Sequence, residues 1–362
     1  MIGMVLAGAI GALSAGSAPH TTGDIRINLA TGRIVGAVCV ENWPAAAAGS
    51  ATLNTGLTIA RVKDGAGKPL SFNSWQGGTL DREARAFTFE APTTGPVCFD
   101  YFGAAPMFPD HDAKADFKGM IAADGKSLRV SEQTVWLPAP FDPQAKKRLQ
   151  DTTYRLHVIC DDCTLLYMGG AAPARGGDTI LESGRPVAPL LFAGTGPVDI
   201  GPDVTFVNAQ LTPEARAGWT QFYHRVRGFY ADYLARPFGG MPTILRFDSL
   251  DKGHNPKRQW GFASWPTIAL GNGDLEAMGR SLPRDDEDAW GQTAYLAHET
   301  AHYYFGGDGI YRWFLVESTA EFMSWKALAA IKGRAAMNAR IASRVAAMSW
   351  DVLPFNTLER PE

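Results

Sequence analysis

Excess positive charge is missing from this chain. Its 34 Lys and Arg stand against 37 Asp and Glu, for a formal net charge of −3. No basic run interleaved with aromatics stands out, which argues against nucleic acid as a partner. Long apolar runs are missing beyond the N-terminus, so no membrane-spanning helix is expected there. Cysteine is scarce, with four residues: Cys39, Cys98, Cys160 and Cys163. Cys160 and Cys163 form a C-x-x-C with no second pair of similar spacing, which argues against a structural zinc knuckle. Asp161 and Asp162 between them disfavour thiolate. In an oxidising compartment Cys39–Cys98 and Cys160–Cys163 could be disulfides; buried thiols are the equal alternative. Internal repeats and low-complexity linkers are also absent.

What is present fits an ordinary globular protein, with 46% hydrophobic and 20% charged residues over 362 positions. That length suggests two domains. The first twenty residues, an Ala/Gly-rich apolar run followed by small residues and Pro19, resemble the apolar core and cleavage zone of an export signal, without its usual basic start. Export to the periplasm or the cell exterior is the expectation, with possible N-terminal anchoring; a disordered apolar tail is the alternative. Residues 21–205 read as a β domain. "RIVGAVCVEN", "LTIARVKD", "AFTFEA", "SLRVSEQTVWL", "TYRLHVIC" and "VDIGPDVTFVNA" are short β-branched or aromatic runs punctuated by Gly, Pro, Asp and Asn. Residues 206–362 change texture. A Thr-Pro-Glu helix start opens "LTPEARAGWTQFYHRVRGFYADYL", and "TILRF" and "TIAL" read as strands. A helix is expected from about Asp286 to Tyr304, opened by acidic residues and closed by Gly306 and Gly307, and another from about Phe314 to Ile331, stopped by Gly333.

The first of these two helices carries "AHETAH", with His298, Glu299 and His302 in the order H-E-x-x-H. On a helix, positions i and i+4 share a face. His298 and His302 can therefore hold one zinc ion, with Glu299 beside them as the base for a metal-activated water. A catalytic zinc site usually takes three protein ligands. The next helix offers Glu317 and Glu321, again i and i+4. One could complete the ligand set and the other could orient a ligand histidine.

Three stretches together resemble the aminopeptidase N family of gluzincin zinc peptidases: "MFPDHDAKADF" (residues 107–117), "NPKRQWGFASW" (255–265), and the H-E-x-x-H helix with "ESTAEF" (317–322) downstream. The resemblance implies an α+β protein with an N-terminal β-sandwich or saddle domain, followed by a thermolysin-like mixed α/β zinc-peptidase domain. It implies zinc as cofactor and a peptide or protein as substrate. It makes Asp110, His111, Asp112 and Asp116 structural rather than a metal loop. The family's spacing to its glutamate ligand would select Glu321. The local pattern of "ESTAEF" aligns Glu317 instead, at the expense of a loop shorter by about one helical turn. Loops accept deletion more readily than helix faces accept rotation, so Glu317 is read as the ligand and Glu321 as its support. Arg258, Gln259, Trp260 and Gly261 fall on the family's substrate-binding edge strand. Arg258 stands where the family has a glutamate that holds the substrate's α-amine, so altered N-terminal specificity or endopeptidase action is expected. The family's oxyanion tyrosine lies well downstream, and no tyrosine follows Tyr311. Either the chain is part of a longer protein, or a nearby tyrosine, Tyr311 foremost, takes that role. A zinc-binding relative that recognises peptides without cleaving them is the alternative reading.

Overall fold

The computed structural model describes residues 17–73, 80–81, 84–92, 95–104, 122–123, 125–131, 134–237, 239–247, 260–305 and 312–347. It is a mixed α+β structure with three sheets before residue 195, then a fourth sheet covered by helices.

The largest sheet has seven strands, in the order Asp178–Val187, Thr152–Cys160, His20–Asn28, Arg33–Glu41, Val97–Ala104, Leu57–Asp64 and Pro69–Leu70. Its ladders are antiparallel except where His20–Asn28 runs parallel to Thr152–Cys160. Strand alternation sends Tyr154, Leu156, Val158 and Cys160 inward from one strand and Ile34, Val38 and Val40 from another. Two five-stranded sheets contribute Ala51, Leu53 and Phe87, and Leu128, Val130, Leu166 and Leu191, to the same core. Cys39 and Cys98 lie opposite each other on neighbouring strands and are disulfide-bonded, as are Cys160 and Cys163. The buried-thiol alternative is therefore set aside.

Most of the expected strands form; the exception is instructive. Among the described residues of "SLRVSEQTVWL" only Ser127–Val130 is a strand. The Thr134 hydroxyl donates to the Ser131 carbonyl at 2.6 Å and accepts from the Ser131 amide at 2.9 Å, and Val135 takes a positive φ of 53°. A hydroxyl that bonds its local backbone turns the chain away from the ladder.

The fourth sheet runs Val198–Ile200, Thr205–Val207, Thr243–Phe247, Thr267–Gly271, Trp260–Ser264. The hairpin at 198–207 thus pairs with the strands that follow it, although the sequence reading grouped most of it with the β domain. Five helices accompany this sheet among the described residues: α1 (Pro213–Leu234), α2 (Leu275–Ser281), α3 (Glu287–Ala301), α4 (Arg312–Lys332) and α5 (Arg334–Ala346). Thr212, Asp274 and Asp286 cap the first three, each accepting from a backbone amide three residues on. Gly218 of α1 and Gly279 of α2 permit a close crossing, because a Cβ on Gly218 would lie 1.9 Å from the Gly279 carbonyl oxygen. Trp219, fully buried, donates its indole N–H to the Leu275 carbonyl at 2.8 Å. Helix α3 ends at Ala301, earlier than the expected Tyr304. The amides of Tyr303 and Tyr304 reach back only three residues, to Thr300 and Ala301, so the last turn tightens before the glycines. Helices α2 and α5 were not foreseen from the sequence.

Candidate metal centre

Helix α3 has two working faces. Leu296, Ala297 and Ala301 pack into the core beneath the fourth sheet, with Trp219, Phe222 and Tyr223 of α1. The opposite stripe carries His298 and His302 toward α4. Their Nε2 atoms lie 3.1 Å apart. Glu317 of α4 meets both rings: one carboxylate oxygen is 3.3 Å from Nε2 of His298, and the other is 3.8 Å from Nε2 of His302. One ligand atom from each residue falls within 4.8 Å of the others. Glu321, one turn further along α4, sits behind this cluster, with Oε2 3.1 Å from Nδ1 of His298. Its other oxygen accepts from Nε of Arg344 on α5, at 3.1 Å.

The donor set fits zinc. Two imidazole nitrogens and one carboxylate are a common three-ligand complement for a catalytic zinc. With Nδ1–H of His298 donating to Glu321, the tautomer is assigned and Nε2 keeps a lone pair for metal.

The electrostatics of these groups without metal are those of charges drawn inside a protein. Glu299 is only 6% exposed. Burial raises its carboxyl to about 7, with Glu317 adding to the rise and His298 opposing it. Burial lowers His302 to about 4, against the pull of Glu317. Burial also works to lower His298, but hydrogen bonds to Glu317 and Glu321 outweigh it and raise the ring to about 9. Glu317 and Glu321 are both lowered, foremost by their contacts with His298.

The strand Trp260–Ser264 forms the outer edge of the fourth sheet, antiparallel to Thr267–Gly271. Ser264 pairs with Thr267 across a two-residue turn. Ladder alternation from that pair directs the N–H and C=O groups of Gly261 and Ala263 away from the neighbouring strand. Gly261 faces α3: a Cβ there would lie 2.4 Å from the hydroxyl of Tyr295, which sits one turn before His298. That hydroxyl is buried and makes no hydrogen bond among the described residues. Tyr295 was missed in the sequence, although its i, i+4 relation to Glu299 was a readable signal.

The structure thus brings His298, His302, Glu299, Glu317 and Glu321 together and places the Gly261 strand against the same helix. The side chain of Trp260 and the whole of Arg258, Gln259, Tyr311 and "MFPDHDAKADF" lie outside the described residues. Tyr303 and Tyr304 pack against the helical core, Tyr304 with its ring 5.4 Å from that of Tyr230. His224 pairs with Asp203 on the surface, and among the described residues no helix is long and apolar enough to cross a membrane.

This architecture, a β-rich region followed by a helix-covered sheet, shares its fold with solved M1, or aminopeptidase N-like, zinc metallopeptidases and leukotriene A4 hydrolases. The native leukotriene A4 hydrolase of yeast superimposes with a TM-score of 0.61 at 11% identity, over 90% of this chain and 50% of that one. A mutant M1 zinc metallopeptidase from Deinococcus radiodurans gives 0.53 at 14% identity, over 91% of this chain and 75% of that one. The same Deinococcus mutant bound to a Tyr-Ser-Ala substrate gives 0.53 at 15% identity. At such identities the likeness is one of fold, and the chain spans about half the length of the leukotriene A4 hydrolases it matches. No family model matches the sequence, and no curated protein matches it by sequence.

Proposed function

We propose that this protein is a zinc-dependent metallopeptidase, with His298, His302 and Glu317 as metal ligands and Glu299 as general base. One observation carries the reading: the two Nε2 atoms and the Glu317 carboxylate converge, while the next residue on the same helix turn is a buried carboxylate. Zinc bound there would polarise a peptide carbonyl and make a water acidic enough to deprotonate near neutral pH. Glu299 takes the proton of the attacking water and passes it to the departing amine. Glu321 holds the ring of His298 in orientation. The substrate lies along Trp260–Ser264 as an added strand, bonded to the outward main-chain groups of Gly261 and Ala263. The β-rich region before residue 195, a sandwich or saddle, is the scaffold on which a thermolysin-like unit is mounted.

Three finer assignments belong to the same proposal. Arg258 and Gln259, with Trp260 beside them, alter recognition of the substrate's N-terminus, because a guanidinium repels an α-ammonium. Tyr311 donates to the developing oxyanion when no longer form of the protein supplies another tyrosine. The protein is exported, a reading that the two disulfides support.

The test is zinc content by mass spectrometry together with cleavage of a peptide library, for the wild type and Glu299→Gln. One zinc per chain in both, with cleavage lost roughly 10²–10⁴-fold in the variant, is the expected result. A wild type without zinc, or a variant that still cleaves at the wild-type rate, refutes it.

A further inference from the structure

Helix α5 supplies no ligand to the metal site, yet one of its side chains reaches it. Arg344 donates from Nε to Oε1 of Glu321, while Oε2 of the same carboxylate faces Nδ1 of His298. The two oxygens of Glu321 are thus divided between a guanidinium and an imidazole, at 3.1 Å each. A carboxylate held at one oxygen only can swing about its last side-chain torsion, which is broad and roughly two-fold. Held at both, it presents a fixed acceptor to the ring.

The helix bearing Arg344 is itself anchored beside the site. Ala336 of α5 is fully buried with Ala294 of α3 and Leu328 of α4, and Trp290 closes over them. Small residues at that junction let the three helices approach closely, and Arg344 lies two turns further along α5. Arg340, one turn before Arg344, is half-buried, and its Nε makes no hydrogen bond among the described residues. It adds positive charge beside Glu321 without sharing the hydrogen bond.

We propose that Arg344 is a positioning residue for the metal centre: by fixing Glu321 it holds the His298 ring with Nε2 turned to the ligand cluster, so that α5 forms an outer layer of the site. This rests on the zinc reading above. The consequence is that zinc affinity depends on a residue that touches neither the metal ligands nor the substrate strand.

The experiment measures zinc affinity by chelator competition, and the visible absorption of the cobalt-substituted protein, for the full chain and its variants. Circular dichroism and the exposed α5 variant Arg334→Ala serve as folding controls. Glu321→Gln should weaken zinc roughly 10- to 100-fold. Arg344→Ala should weaken it roughly 2- to 5-fold, the range of a partly exposed ion pair, and shift the cobalt band. Arg344→Lys should recover part of the loss, since an ammonium keeps the charge but not the fork of donors. Arg340→Gln should change affinity by less than about twofold. In the Glu321→Gln background, Arg344→Ala should cause no further loss, because the two act through one contact. Unchanged zinc affinity in a folded Arg344→Ala, or an equal loss in both backgrounds, overturns the proposal while leaving the zinc reading intact. A folded wild type that binds no zinc removes both.

Discussion

The sheets before residue 195 and the helix-covered sheet after it bury polar groups in different ways. In the first region the buried polar groups are mostly neutral, and several donate to main-chain carbonyls from other parts of the chain. The Asn54 amide donates to the Thr134 carbonyl at 2.7 Å, the Trp136 indole to the Pro189 carbonyl at 2.7 Å, and the Tyr154 hydroxyl to the Gly169 carbonyl at 2.8 Å. Charged residues there stay near solvent, as in the Asp24–His157–Asp178 bridge across three strands. The buried exception, Arg129, lies over the ring of Phe247, which belongs to the second region. In the second region two carboxylates are buried among the described residues: Asp199, paired with Arg216 of α1, and Glu299, which has the partly buried His298 and His302 beside it and Glu317 and Glu321 as their half-buried partners. Burying charge costs stability unless partners offset it. The densest cluster of such groups among the described residues lies on one helix pair, apart from the β-rich sheets.

The strongest way to break this contrast is to remove the imidazoles. His298→Ala combined with His302→Ala should abolish stoichiometric zinc while the β-rich region keeps its far-ultraviolet signature. Full zinc occupancy in that double variant would show that the metal sits elsewhere.

The scaffold can be weakened instead. Cys39→Ala with Cys98→Ala removes a cross-strand link and should lower unfolding stability by about 2–4 kcal/mol. Below the melting transition, zinc affinity should stay at the wild-type value. A parallel fall in zinc affinity would mean that the regions are not separable in this sense.

A subtler variant probes the seam between the strand Trp260–Ser264 and helix α3. Gly261→Ala would drive a methyl group into the Tyr295 hydroxyl, against the sheet neighbours Ala269 and Leu270. Turnover should fall roughly 10- to 100-fold through misplacement of the strand, with zinc retained, and Tyr295→Phe should restore part of it. No recovery in the double variant would assign the defect to the sheet alone.

The smallest effect belongs to the surface of the scaffold. Both ring nitrogens of His157 face carboxylate oxygens, Asp178 at 2.7 Å and Asp24 at 3.0 Å, and Asp178 foremost raises its pKa above the usual value. The sign follows from linkage. A raised folded-state pKa means that the stabilisation is fully present below about 6.5 and is lost as pH rises through the folded-state value. His157→Gln should therefore narrow the difference between melting temperatures at pH 6 and pH 9, measured by calorimetry. An unchanged difference would show that the bridge is solvated away.

Patterns that depend on near neighbours were legible without coordinates. The 3.6-residue period, the Thr212 and Asp286 caps and the H-E-x-x-H spacing reside in a few consecutive residues, so α1 and α3 and the shared face of His298 and His302 followed from local rules. The alternation in Arg33–Glu41 and Thr152–Cys160 did likewise. Short elements fared worse. Helix α2 spans only seven residues, too few to show a period; α5 does carry Met337, Ile341 and Val345 at helical spacing, but it starts directly after Gly333, which reads as a helix stop. The strand expected through Ser131–Leu137 lost to a side-chain bond that no periodicity reveals.

The sequence by itself determined the chemistry on offer: two imidazoles one helical turn apart with a carboxylate beside them, and two more carboxylates on the following helix. The local pattern of "ESTAEF" favoured Glu317 over Glu321, and only the tertiary structure shows where each carboxylate lies. Glu317 and Glu321 are equivalent in spacing, and either can face α3. The packing of α4 on α3 turns Glu317 toward both Nε2 atoms and Glu321 toward Nδ1 of His298. The docking of α5 through Ala336 then brings Arg344 to the far oxygen of Glu321. The reason is geometric: a one-dimensional spacing defines a face, and what that face meets is set by the crossing of helices whose contacts lie far apart in the chain.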